Sequence, residues 1–117
     1  MSCRFVIQEH TTPEGVHWDL MLEQGEVLAT FRLDGPPQVA REGRVHAVQI
    51  FDHPLRFLTY EGPVQKGTGR VRIVDRGTCD ASEGDGVITL ELQGETLRGR
   101  FELTRIEGPT WQLAPRT

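Results

Sequence analysis

The sequence predicts an all-β fold: a small closed or nearly closed β-barrel with at most one short helix. Three observations carry this expectation. Glycine-containing breaks recur at short intervals, at residues 14–15, 24–25, 34–37, 42–43, 61–63, 67–69, 84–86 and 93–94. Between them lie runs of about six to nine residues rich in Val, Ile, Leu, Phe and Thr, the spacing of a sandwich or barrel. Several runs also alternate apolar with polar residues, as a strand with one buried face does. Closure is the economical arrangement because it leaves no strand edge unpaired.

Residues 5–9 read as the first strand. A turn through Thr12, Pro13, Glu14 and Gly15 sends the chain back into a second, where Trp18, Leu20 and Leu22 face the core and His17, Asp19 and Met21 face the other way. Residues 18–23 and 27–33 form a hairpin across Gln24-Gly25. Residues 37–44 hold the one candidate short helix. In the strand at 45–51, Val48 and Ile50 share a face with His46, which is therefore expected to be packed toward the barrel. Arg70 and Arg72 alternate with Val71 and Ile73. A second clear hairpin joins residues 87–92 to 96–103 across Gln93-Gly94, and there Arg98 and Arg100 alternate with apolar Leu97 and Phe101. These arginine faces read as solvated outer surface. A phosphate-tracking role would require them to border the histidines.

At 117 residues the chain is expected to be a single domain, residues 1–117. A hydrophobic fraction of 37% with evenly spread charge argues against a disordered chain. No run approaches the roughly 20 apolar residues of a membrane span, and the polar start MSCRF is not a signal peptide, so the expectation is a cytoplasmic protein with no membrane contact. A net charge of −4 disfavours broad electrostatic binding to duplex DNA and leaves recognition at a site. Cys3 and Cys79, far apart and outside any CxxC pattern, are expected to be reduced thiols.

The chemistry concentrates in residues 5–23. His17 and Asp19 sit two apart on one strand face, and the turn at 12–15 returns His10 toward them. Two imidazoles and a carboxylate can thus meet in one pocket, a donor set suited to manganese, iron, zinc and related divalent ions. Asp52 and Asp75 are candidates either to orient an imidazole N–H or to cap a turn. The pair His17-x-Asp19 with distant His53 also imitates the facial triad of non-haem iron oxygenases, although the chain is short for that class.

The motifs FVIQEH, HWDLMLE and FDHPL, followed by YEG and VRIVDRG, resemble the 3′-phosphoesterase domain of bacterial DNA ligase D and its free-standing relatives. The resemblance covers residues 4–78, with a weaker echo at Trp111. It implies a metal site of His10, His17 and Asp19, with manganese the usual ion and zinc or cobalt as alternatives. It also implies a phosphate-contacting His53, and a reaction that removes a terminal 3′-ribonucleoside and then the 3′-phosphate to leave a 3′-hydroxyl. Nucleic-acid 3′ ends would be the substrate, and a DNA ligase or repair protein in trans a partner.

Four departures qualify the likeness. Met21 stands where the family has Arg, and Phe57 where it has Tyr. The interval from His10 to His17 is one residue longer than usual, and the glycine-rich turn KGTGRV is two residues short and lacks its aromatic. The sequence therefore leads to a metal-dependent phosphoesterase of weak or altered activity. Its alternative is a non-catalytic metal- or nucleic-acid-binding module that keeps the barrel.

Overall fold

The computed structural model describes residues 2–64 and 69–116. Nine strands form one antiparallel sheet: β1 (Ser2–Thr12), β2 (Gly15–Gln24), β3 (Val27–Leu33), β4 (Val45–Pro54), β5 (Gly62–Pro63), β6 (Arg70–Gly84), β7 (Val87–Gln93), β8 (Arg98–Glu107) and β9 (Thr110–Pro115). Their spatial order is β1-β2-β3-β4-β9-β8-β7-β6-β5, and a further pairing of β1 with β6 closes eight of them into a barrel. The one α-helix among the described residues, α1 (Pro37–Glu42), follows β3 and seats Ala40 in the core. It is no membrane span, and no other described helix is long and apolar enough to cross one.

Both expected hairpins form, with turns slightly displaced: Gln24 is still paired, with Val27, and Gln93 with Arg98, so that β8 begins at Arg98 where the sequence suggested Thr96. Parity decides what fills the barrel. Phe5 and Ile7 of β1, Leu20 and Leu22 of β2, and Phe31 and Leu33 of β3 point inward with Leu90, Leu92, Leu103 and Leu113. Trp111 joins them, its ring edge-on to Phe31 at 5.3 Å between centroids. An eight-stranded barrel encloses about enough room for such side chains and no more. The interior is therefore a core, and any chemistry must sit outside it.

β6 is longer than the sequence suggested. Its first part pairs with β1 and its last part, through Ser82 and Gly84, pairs with β7. The polar stretch DASEG, loop-like by composition, is held in a strand because it continues a barrel wall.

Two expectations are corrected here. Cys3 and Cys79 are not free thiols. They are cross-strand partners on the β1–β6 seam, their Cα atoms 4.9 Å apart, and a disulfide joins them. Their sequence separation of 76 hid a proximity that only barrel closure creates. His46 is not barrel-facing either: Val45 and Ala47 take the inward positions, and the exposed His46 reaches Asp34 Oδ2 at 3.1 Å.

Candidate metal centre and its groove

On the outer face of β1, β2 and β3 the residues of opposite parity make a second, smaller cluster. Val6, Met21 and Leu28 lie there under Leu58, which belongs to a single 3-10 turn, Leu55–Leu58. The segment from this turn through β5 straps across the face. Gln8, 1% exposed, pins it by donating from Nε2 to the carbonyls of Phe57 at 2.9 Å and Tyr60 at 3.0 Å. Tyr60 closes the strap on itself through a hydrogen bond from its hydroxyl to the Pro63 carbonyl.

At one end of this face the β1–β2 pairing sets His10 directly opposite His17. The rings meet edge to face, with Nδ1 of His10 3.0 Å from Nε2 of His17. One of these nitrogens donates to the other, so one proton occupies the space between two lone-pair sites. Asp19, on the same face two residues along, places Oδ2 3.6 Å from His17 Nε2. One ligand atom from each of the three lies within 4.8 Å of the others. Burial pushes the His17 pKa below its ordinary value, against the opposing pull of Asp19. The neutral imidazole favoured by this burial is the form that can ligate. Two imidazoles and a carboxylate at this spacing fit a divalent ion.

Asp19 is 3% exposed and is not left alone. Arg32, its cross-strand partner on β3, donates from Nε to Oδ1 at 3.2 Å. The carboxylate thus holds a guanidinium with one oxygen and faces the imidazoles with the other. On the far side Gly69 passes so close to β1 that a Cβ would lie 2.0 Å from the Thr11 carbonyl oxygen and 3.2 Å from His10 Nε2. Its φ of +115° also suits glycine alone. The rest of the glycine-rich turn falls largely in residues 65–68, outside the described residues.

His53 comes to the same groove from β4. Its Nδ1 lies 2.9 Å from Thr30 Oγ1 and 3.1 Å from the Phe51 carbonyl oxygen. Thr30 donates its own hydroxyl proton to the Leu28 carbonyl, so both neighbours of Nδ1 act as acceptors. Nδ1 therefore carries the proton, and Nε2 is the nitrogen left for a ligand. Phe51 stacks on the imidazole at 4.9 Å and Phe57 meets it edge-on at 5.5 Å. Arg56 lies over the Phe57 ring at 4.6 Å. The groove holds about 400 Å³, and its lining includes His10, Asp19, Arg32, His53 and Arg56. A larger cleft of about 600 Å³ at Leu22, Phe31 and Trp111 contains no His, Lys or Arg among its lining residues.

A family profile described as the DNA Ligase D 3′-phosphoesterase domain matches residues 8–105. The chain belongs to this family. It is 32% identical over 124 positions to the multifunctional non-homologous end joining protein LigD of Mycolicibacterium smegmatis, covering 92% of this chain and 16% of that protein. With the LigD of Mycobacterium tuberculosis H37Rv the identity is 33% over 117 positions, 92% of this chain and 15% of the relative. With that of Pseudomonas aeruginosa it is 32% over 111 positions, 87% of this chain and 13% of the relative. The chain therefore spans about one-sixth of the length of these relatives or less.

At the position where the ligase D family carries its arginine, Met21 is 1% exposed among Val6, Leu28 and Leu58. A guanidinium nonetheless reaches the groove, from Arg32. Sequence reading missed it, although the hairpin register contains it: with Gln24 opposite Val27, Asp19 must face Arg32. The roles of Gln8 and Tyr60 were missed as well, since they depend on the strap. Asp75 proves to be a turn cap. Buried at 1% exposure, it accepts hydrogen bonds from the backbone N–H groups of Arg76, Glu95, Thr96 and Leu97. Asp52 is exposed. Arg70 and Arg72 sit on the strand face opposite Val71, which is the partner of His10, and Arg72 pairs with Glu9 at 3.1 Å. They form no wall beside the histidines. Arg98 and Arg100 likewise face outward, Arg100 toward Glu91 at 3.4 Å.

Proposed function

We propose that this domain is a metal-dependent phosphoesterase that acts at the 3′ ends of nucleic acids, removing a 3′-ribonucleoside or 3′-phosphate to leave a 3′-hydroxyl. The observation that carries the reading is that His10 and Asp19, two members of the His10, His17 and Asp19 cluster, line a single groove with His53. His10, His17 and Asp19 would hold the ion, for which manganese is the first choice and zinc or cobalt the alternatives. When bound, such an ion polarises a phosphoryl oxygen and acidifies a water. Arg32 fixes the Asp19 carboxylate and balances the charge of a phosphate in the groove. With Nδ1 tied to Thr30 and Phe51, His53 meets the phosphate through Nε2 and must be protonated there to donate. Gln8 keeps the strap, and with it Arg56 and Phe57, against the opposite wall. A ligase or repair protein acting in trans would take the healed end.

A second reading is a binding module without turnover. It is favoured by two observations: Met21 lies buried in an apolar cluster, where the family's arginine would project, and Phe57 lacks the hydroxyl of the family's tyrosine. Purified protein incubated with manganese and DNA carrying a 3′-phosphate or a single 3′-ribonucleotide decides between the two. Shortened or dephosphorylated ends support the phosphoesterase. Ends left intact by folded, metal-loaded protein favour the binding module.

A further inference from the structure

Phe51 is 75% exposed, the most exposed large hydrophobic side chain among the described residues. Exposure of a single apolar residue is ordinary, but the position of this one is not. Its ring lies parallel to His53, with centroids 4.9 Å apart and planes within 14°, at the edge of the groove that holds the metal-ligand cluster. One ring face is taken by the imidazole and the other is open. Among the described residues, the same groove presents two arginines and two histidines, and Asp19 is the one carboxylate in its lining. The chain as a whole carries −4, so this positive character is local.

An exposed aromatic ring beside a groove that presents Arg32, Arg56 and the Nε2 of His53 matches a nucleotide, whose planar base and anionic phosphate are joined by one sugar. We propose that Phe51 is the shelf on which the base of the 3′-terminal nucleotide stacks while its phosphate enters the groove beside His53. The inference rests on the phosphoesterase reading and adds a specificity to it: the domain recognises a terminal base, of whatever identity, in addition to the phosphate. Stacking is tolerant of sequence because every base offers a π-face. It also explains how an acidic protein holds an end without a basic track along the strand, since the needed contacts span one nucleotide.

The test uses fluorescence anisotropy with single-stranded oligonucleotides that end in a 3′-phosphate, carrying at the last position either a normal nucleotide or an abasic tetrahydrofuran residue. Wild-type protein should bind the normal end roughly 5- to 150-fold more tightly than the abasic end, the range of one base–aromatic stack. Phe51→Ala should bind the two ends equally, with its affinity for the abasic end unchanged from wild type, and Phe51→Trp should restore the preference. Unchanged affinity for the abasic end shows that the variant is folded and that the phosphate contacts are intact. Wild-type binding without any preference overturns the shelf and leaves the phosphoesterase reading standing. So does a preference that survives in Phe51→Ala. Failure of wild type to bind either end overturns both.

Discussion

Asp19→Asn is the most discriminating change in the cluster, because asparagine preserves the shape and an oxygen while removing the charge. Without metal its effect should be small. The partner Arg32 is 39% exposed, so water can solvate the guanidinium once the pair is broken. With its guanidinium partly solvated and its buried carboxylate replaced by a neutral amide of the same shape, losing the pair should cost about 1 kcal/mol, a fall in Tm of roughly 4 °C for a domain of this size. With metal the difference should be large. Manganese at about 100 times its Kd stabilises the wild type by about 2.7 kcal/mol, a rise of roughly 10 °C on the same scale. Groups that merely support ligands typically cost 10- to 100-fold in metal affinity when lost, and a ligand should cost at least the upper figure. A 100-fold loss brings the same manganese concentration to about the Kd and leaves about 0.4 kcal/mol of stabilisation, a rise of roughly 2 °C. Thermal unfolding with and without manganese measures both quantities. His46→Ala, at an exposed position paired with Asp34, is the control and should keep the full rise. An undiminished manganese-induced rise in Asp19→Asn would falsify the ligand assignment, whatever happened to the metal-free Tm.

The remaining predictions concern turnover and pH. Arg32→Met should lower hydrolysis of 3′-phosphate ends about 10- to 100-fold at saturating manganese, the value of one charge-assisted contact made in the transition state; adding Met21→Arg should recover part of it, and no recovery in a folded double variant would mean that the two positions are not equivalent. His53→Ala should keep the manganese-induced rise in Tm while cutting hydrolysis about 100-fold or more, whereas loss of the metal response would instead support a facial triad containing His53. Burial holds the His17 pKa below 6.5, so the folded state resists protonation there: both the metal-free stability and the manganese-induced rise should decline as pH falls below 6.5, and a rise that grew toward acid pH would contradict the assignment.

How much of this was legible depended on the range of the contacts involved. The shared face of His17 and Asp19 follows from strand parity, and the approach of His10 follows from a turn of ordinary length, so the cluster could be read locally. Arg32 was equally readable from the hairpin register but carried no motif to draw attention to it. His53 was identified only through the family resemblance, because its approach to Thr30 depends on the β3–β4 pairing, which crosses a helix and shifts register between Leu28 and Thr30. The strap at residues 54–64 has neither helical nor strand periodicity, and Gln8, which pins it, reads like any polar residue at the end of a strand. His46 was misread because its apolar neighbours Val48 and Ile50 mark an outer face that is only half-buried, while the true inward positions carry Val45 and the small Ala47. The Cys3–Cys79 bond was illegible in principle, since it depends on the closure of the whole barrel.

The filled interior and the external groove divide the domain into two parts that can change independently. Replacing Leu90 or Leu103 alters the foundation without touching the groove. Exchanging residues 54–64 re-forms one bank of the groove while the histidines on the other bank stay anchored in their hairpin. Diversification of end chemistry in such a domain need not proceed by remodelling a cavity. It can proceed by swapping one short span of chain, pinned by Gln8 and by the short β5–β6 pairing, much as a tool keeps its handle and changes its jaw.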